Sequence, residues 1–283
     1  MRLLLNLFKL RIGAAIALAA VAGLAVTPGT LRGWQIVVLT AAVLVSSAAA
    51  GAFNQYVERD LDALMTRTRN RPFVSGALVH GPLWLWVIGA MLAASVLAAA
   101  AAANWLAAFY VFMGAFTYGV VYTVWLKRRT WLNIVIGGLA GSFAVLAGAA
   151  AVTPSLSPAS LWLAVALFLW TPPHFWSLAI VFRDDYAGAG VPMLPVVVGE
   201  ARCARIILGS AVVLVASTLM PALHGLGWVY LAAAIAGGAY FIATCVALVG
   251  NPGRATARAS FRASLIQLSL VLFGAIADAA LRG

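Results

Sequence analysis

The sequence predicts an all-α fold, a polytopic membrane bundle of nine transmembrane helices. Three observations predict it. The 283 residues are 64% hydrophobic and only 9% charged, whereas soluble domains carry about 45–50% apolar and about 25% charged residues. Apolar runs near the 20 residues needed to cross a bilayer recur nine times. The positive charges fall on alternate connections, as they do when one side of a membrane collects lysine and arginine.

The runs lie at about 12–30, 35–55, 82–102, 105–125, 132–152, 159–182, 204–223, 228–249 and 261–280. The first resembles a secretory signal, with basic residues ahead of an apolar stretch. Lys9 and Arg11 continue the basic character, and the segment reads as a retained first helix. Small residues are dense, as in GGLAGSFAVLAGAAA, and predict close backbone approach between helices. The whole chain, 1–283, reads as one domain, with two long polar loops at about 56–81 and 183–203. Both fall on the same side and describe caps over a cavity between the helices.

Sixteen of the eighteen lysines and arginines fall on one side. They are Arg2, Lys9 and Arg11; Arg59, Arg67, Arg69 and Arg71; Lys127, Arg128 and Arg129; Arg183, Arg202 and Arg205; and Arg254, Arg258 and Arg262. Arg32 and Arg282 fall on the other. The pattern places the N-terminus in the cytoplasm and the C-terminus outside, and this topology explains the net charge of +11 without nucleic acid. Cys203 and Cys245 form no CxxC pair and define neither a disulfide framework nor a thiolate site.

The stretch NQYVERDLDALMTRTRNRP, Asn54 to Pro72, concentrates charge beside a span, where ionisable residues are expensive and mark functional sites. Asn54, Glu58 and Asp62 recur at i, i+4 and i+8, which on a helix face one way. Three oxygen ligands followed by Arg67, Arg69 and Arg71 suit Mg²⁺ with a phosphate-bearing substrate. A polar helix end meeting water would show similar charges, and topology alone would also place the arginines. Asp60 points off the shared face. Lys127, in Lys127-Arg128-Arg129, offers a point charge to a phosphate.

The stretch WTPPHFWSLAIVFRDDYAGAGVPMLP, Trp170 to Pro195, is the second constellation. Pro172 and Pro173 predict a break or kink in the sixth helix, with freed carbonyls lining a cavity. His174 follows at membrane depth among Trp170, Phe175 and Trp176, as a ligand-site residue or a helix-packing histidine. Asp184 and Asp185 offer carboxylates for a second metal position, or an interfacial helix end paired with Arg183. Asp278, near the opposite surface, reads as structural.

These residues resemble the intramembrane prenyltransferases of the UbiA superfamily, and within it the branch that farnesylates haem. Asn54, Glu58 and Asp62 match the first motif, N-x3-D-x3-D, with Glu at the middle position. The strings NQYxERDxDxxMxRTxxRP, TPPHFWxLAI, RDDYxxAGVPMLP and LKRRTxxNIVIGGxAG match that branch. Phe175 and Phe182 stand where many superfamily members carry spaced acids. GSFAVLAG lacks the proline pair usual in the branch.

The resemblance implies a UbiA-type fold and transfer of a farnesyl group from farnesyl diphosphate to a vinyl group of haem B. Water adds, and haem O and diphosphate are released. It implies Mg²⁺ on Asn54, Glu58, Asp62, Asp184 and Asp185, which make up the catalytic set. It assigns diphosphate to Arg67, Arg71 and Lys127, and haem contact to His174, with His80 second. The expected setting is the bilayer of a bacterial inner membrane, and a terminal oxidase assembly or haem A synthase would use the product. The competing readings are a prenyltransferase for an aromatic quinone precursor and a transporter. Transporters place charges and broken helices near the midplane between repeats, whereas these acids cluster on one side.

Overall fold

The computed structural model describes residues 2–282, and every regular element among them is a helix. Hydrocarbon offers no hydrogen bonds, so each apolar run satisfies its backbone internally. In chain order the helices are α1 (Arg2–Leu7), α2 (Leu10–Ala25), α3 (Gly33–Val57), α4 (Arg59–Ala63), α5 (Leu83–Ala102) and α6 (Trp105–Phe116). A π-helical segment, Thr117–Leu126, continues α6. There follow α7 (Asn133–Gly137), α8 (Leu139–Val152), α9 (Pro158–Val181), α10 (Arg183–Gly188), α11 (Leu194–Val198), α12 (Glu200–Leu223), α13 (Trp228–Gly250) and α14 (Arg254–Arg282).

Among the described residues eight helical units are long and apolar enough to cross a membrane, with α6 and its continuation, and α7 with α8, each counted as one. The first expected span is α2, apolar but 16 residues long. At about 1.5 Å per residue it rises roughly 24 Å, a little under the ~30 Å hydrocarbon core. It is separated from α1 at Lys9, whose φ of 47° is left-handed. The last helix starts seven residues ahead of its expected position, at Arg254 rather than residue 261.

Small residues set the packing. The carbonyl of Ala20 on α2 lies where a Cβ on Gly148 of α8 would stand, 1.8 Å away. Reciprocally, a Cβ on Gly23 would meet the Val145 carbonyl at 2.1 Å. Each backbone occupies space that only glycine leaves open, the close approach expected of membrane helices. At the far end of the bundle Asp278 of α14 is buried. Its carboxylate accepts the backbone N–H of Gly227 at 2.7 Å and of Tyr230 at 3.4 Å, and pairs with Arg282 at 2.6 Å. It satisfies donors at the start of α13 that the helix cannot satisfy itself, which is the structural role expected.

The break expected in the sixth helix does not occur. α9 runs unbroken through Pro172 and Pro173. Each proline removes one donor, but its fixed φ is itself helical. The Phe168 carbonyl, freed by Pro172, faces Gly138, whose Cβ would stand 3.1 Å from it. The discontinuity falls instead in the fifth span, between α7 and α8 at this same Gly138.

Candidate functional site

Asn54 closes α3, Glu58 is the residue between α3 and α4, and Asp62 lies in α4. Although the helix is interrupted at Glu58, the i→i−4 bonds continue across it. Glu58 N–H donates to Asn54 O at 3.0 Å, and Asp62 N–H donates to Glu58 O at 2.7 Å. The predicted shared face therefore survives the break. All three side chains are buried, with exposures of 2%, 1% and 0%.

Each anion meets a cation. Lys127 Nζ donates to Glu58 Oε2 at 2.5 Å, and Arg71 donates to Asp62 Oδ2 at 2.6 Å. Lys127 reaches Glu58 from the end of the π-helical segment, where its N–H bonds the Tyr122 carbonyl five residues back at 2.9 Å. Burial pushes the Asp62 carboxyl above the ordinary range against the pull of Arg71. Burial likewise lowers the Lys127 ammonium, opposed by Glu58.

Asn54 is held from both sides. Lys9 donates to its Oδ1 at 2.6 Å, and its Nδ2 donates to Thr123 Oγ1 at 3.1 Å. Lys9 also donates to the Tyr118 hydroxyl at 2.9 Å. Lys9, Tyr118 and Thr123 were missed as site residues. The one sequence signal for Lys9 is a charge interrupting an apolar run, which topology explained equally well. Tyr118 and Thr123 read as core positions of a span.

Below Lys9 and Tyr118 opens an apolar cavity between α2, α3, α6 and α8, with about 610 Å³ of empty space including its mouth. The polar cluster meets this chamber through Lys9, which lines it and bonds Asn54.

The second motif is only partly gathered here. Asp185 accepts the backbone N–H groups of Thr66 at 3.4 Å and Arg67 at 3.2 Å, tying α10 to the loop after α4. Arg67 donates to the Tyr186 hydroxyl at 3.0 Å and lies over the Phe182 ring at 5.0 Å. Asp184 turns to the surface and pairs with Arg254, both side chains being largely exposed. His174 stands apart, between the rings of Trp170 and Phe261, with Nδ1 2.7 Å from Ser264 Oγ. His80 stacks on Tyr56 at 4.1 Å within the loop. Among the described residues no three His, Cys, Asp or Glu side chains converge as a metal-binding group. The five-donor set is therefore not assembled, because Asp184 faces outward and Asp185 is engaged by backbone donors.

The remaining pair nevertheless fits Mg²⁺. Glu58 Oε1 and Asp62 Oδ1 are buried without a hydrogen-bond partner, and such orphaned acceptors are rare. Mg²⁺ is ordinarily held by one or two carboxylates together with substrate phosphates and water. Asp60, by contrast, forms an exposed bidentate pair with Arg128 at 2.9 and 3.1 Å. Asp60→Asn is expected to change stability by less than about 1 kcal/mol and to leave turnover intact, as checked by melting temperature and activity together.

A bundle of apolar helices thus holds buried acids and bases beside a hydrophobic chamber. The chain belongs to the UbiA prenyltransferase family, whose match spans residues 15–271; it is a multi-pass integral membrane protein and a prenyltransferase. It is 58% identical over 284 residues to protoheme IX farnesyltransferase 2 of Paramagnetospirillum magneticum, covering 100% of this chain and 99% of that one. It is 41% identical to protoheme IX farnesyltransferase of Gluconacetobacter diazotrophicus, covering 96% and 89%. Among solved structures, a UbiA homolog from Archaeoglobus fulgidus bound to DMAPP and Mg²⁺ superposes with a TM-score of 0.72 at 17% identity, covering 97% and 99%. The apo UbiA homolog from Aeropyrum pernix superposes at 0.75 and 19%, covering 96% and 98%. At these identities the structural likeness establishes the fold.

Proposed function

We propose that this protein transfers the farnesyl group of farnesyl diphosphate to a vinyl group of protohaem IX, adding water and releasing diphosphate, to give haem O. The observation that carries the reading is the 58% identity, end to end, to a protoheme IX farnesyltransferase. The buried acid–base cluster above an apolar cavity supports it.

The chamber takes the isoprenoid chain and the cluster takes the diphosphate. Glu58 and Asp62, with Asn54 beside them, would hold Mg²⁺, which would neutralise charge building on the departing diphosphate. Arg71 and Lys127 lie within 2.6 Å of those carboxylates and stabilise the same leaving group as the C–O bond breaks. Arg67, on the same loop as Arg71 and held against Tyr186, reaches it too, and Asp185 fixes that loop through the Arg67 N–H. Asp184 lies at the surface, paired with Arg254. The apolar walls keep water from the allylic cation until the vinyl group attacks. The second cation, on the carbon beside the porphyrin ring, takes the oxygen of one water and loses a proton. His174 contributes a contact to haem from its side of α9.

The positive charges put the cluster on the cytoplasmic side of the bacterial inner membrane, with the C-terminus outside. The loops at about 56–81 and 183–203 cap a single domain. The product passes to haem A synthase or a terminal oxidase assembly. Mass spectrometry of haem extracted from expressing cells tests the reading. A hydroxyethylfarnesyl haem is expected, and its absence from cells holding folded protein contradicts it.

A further inference from the structure

The cavity has a depth as well as a mouth. Lys9 and Tyr118 mark its polar end. Away from them its lining runs along α3 from Gly51 to Val43, and along the π-helical segment and α6 from Tyr118 to Tyr110. Each stretch rises about 12 Å at 1.5 Å per residue. The lining that the two helices contribute therefore ends at the same level.

The floor is well supported. The Tyr110 ring stacks on Phe143 of α8 with centroids 6.1 Å apart and an interplanar angle of 23°. Val43, Val111 and Ala144 beside it belong to the largest buried core of the bundle. The walls that α3 and α6 present above it are small residues, among them Ser46, Ser47, Ala50 and Gly114, with Ile12 and Ile16 facing them from α2.

We propose that Tyr110, backed by Phe143 and flanked by Val43, is the stop that sets the length of isoprenoid this protein accepts. It is a specificity-determining residue of the cavity. The inference rests on the reading that the chamber receives the prenyl chain. A chain one isoprene longer must displace the Tyr110 ring or hold its diphosphate out of register with Glu58 and Asp62. Even one methylene in an apolar pocket is worth roughly tenfold or more in discrimination, and five carbons without space exceed that.

The test is a competition. Purified wild-type protein, Tyr110→Ala, Tyr110→Phe and Val43→Ala receive protohaem IX with equimolar farnesyl and geranylgeranyl diphosphates. The two haem products are separated by mass, and their ratio is independent of how much of each preparation is folded. Tyr110→Ala is expected to raise the geranylgeranyl-to-farnesyl ratio by at least about tenfold. Tyr110→Phe keeps the ring and the wild-type ratio. Val43→Ala moves the ratio in the same direction by less, and reads the floor from α3 should Tyr110→Ala yield no product. Ratios in both enlarged variants within about twofold of wild type would overturn the proposal. If the wild type binds farnesyl diphosphate but transfers nothing to haem, the reading of the acceptor fails instead. The floor is then read from the relative Kd values of the two diphosphates, with the same expected and contrary results.

Discussion

Gly148→Ala is expected to separate α2 from α8 and to leave little folded protein. The added Cβ would sit 1.8 Å from the Ala20 carbonyl oxygen and 2.7 Å from its carbon. Those are backbone atoms of a helix, so no rotamer change relieves the clash. Overpacking a core costs about 1–3 kcal/mol where side chains can yield, and this contact exceeds that range. The helices must move apart and give up the reciprocal fit at Gly23. α2 also lines the chamber through Ile12 and Ile16, and Lys9 precedes it. Activity therefore falls with stability. Gly209→Ala, on α12 with nothing within 4 Å of its Cβ, is the control expected to fold normally. Detergent-solubilised melting temperatures and size-exclusion profiles read the difference.

Asp62→Asn is expected to do the reverse, removing activity while sparing the fold. The substitution keeps shape and one acceptor for Arg71, which is about a fifth exposed and retains access to water. It removes the anionic oxygen assigned to Mg²⁺. Metal stabilisation of a departing charge is worth several kcal/mol, and at 1.36 kcal/mol per decade the loss is on the order of a thousandfold in turnover. Stability follows from the sign of the titration. Burial raises the Asp62 carboxyl above its ordinary pKa of 3.8. Its favourable contribution is then fully present below that ordinary value and is lost as pH rises through the folded-state value. Asn, which does not ionise, avoids that loss. The variant should melt within a few degrees of wild type, or above it, with turnover abolished. A variant that unfolds would assign Asp62 a structural role instead.

Much of this was legible in the chain. Hydrocarbon length and the one-sided arginines fix the spans, because both are bilayer constraints and not details of packing. The spacing of Asn54, Glu58 and Asp62 survives the break at Glu58, because the i→i−4 bonds bridge it. Lys127 was found as a point charge, but its partner was not. Its reach to Glu58 depends on the π-helical winding of Thr117–Leu126, which no residue pattern announces. Lys9 was hidden by an equally good topological explanation, and its left-handed φ shows only in three dimensions. The prolines of α9 misled because a local rule about donors was set against a helix held by its neighbours. Asp184 and Asp185 adjoin in sequence, yet one faces solvent and the other the loop. Adjacent residues on a helix point about 100° apart.

In the proposed reaction the carboxylate pair and its bases, beside the apolar chamber, draw diphosphate from an isoprenoid in a magnesium-dependent step. It is tested by purified protein in lipid nanodiscs given farnesyl diphosphate and protohaem IX, with diphosphate and haem product quantified together. Diphosphate and hydroxyethylfarnesyl haem forming one for one with Mg²⁺, and neither forming with chelator or with Asp62→Asn, is the predicted result. Equal turnover by Asp62→Asn, or unchanged product formation under chelation, would contradict it.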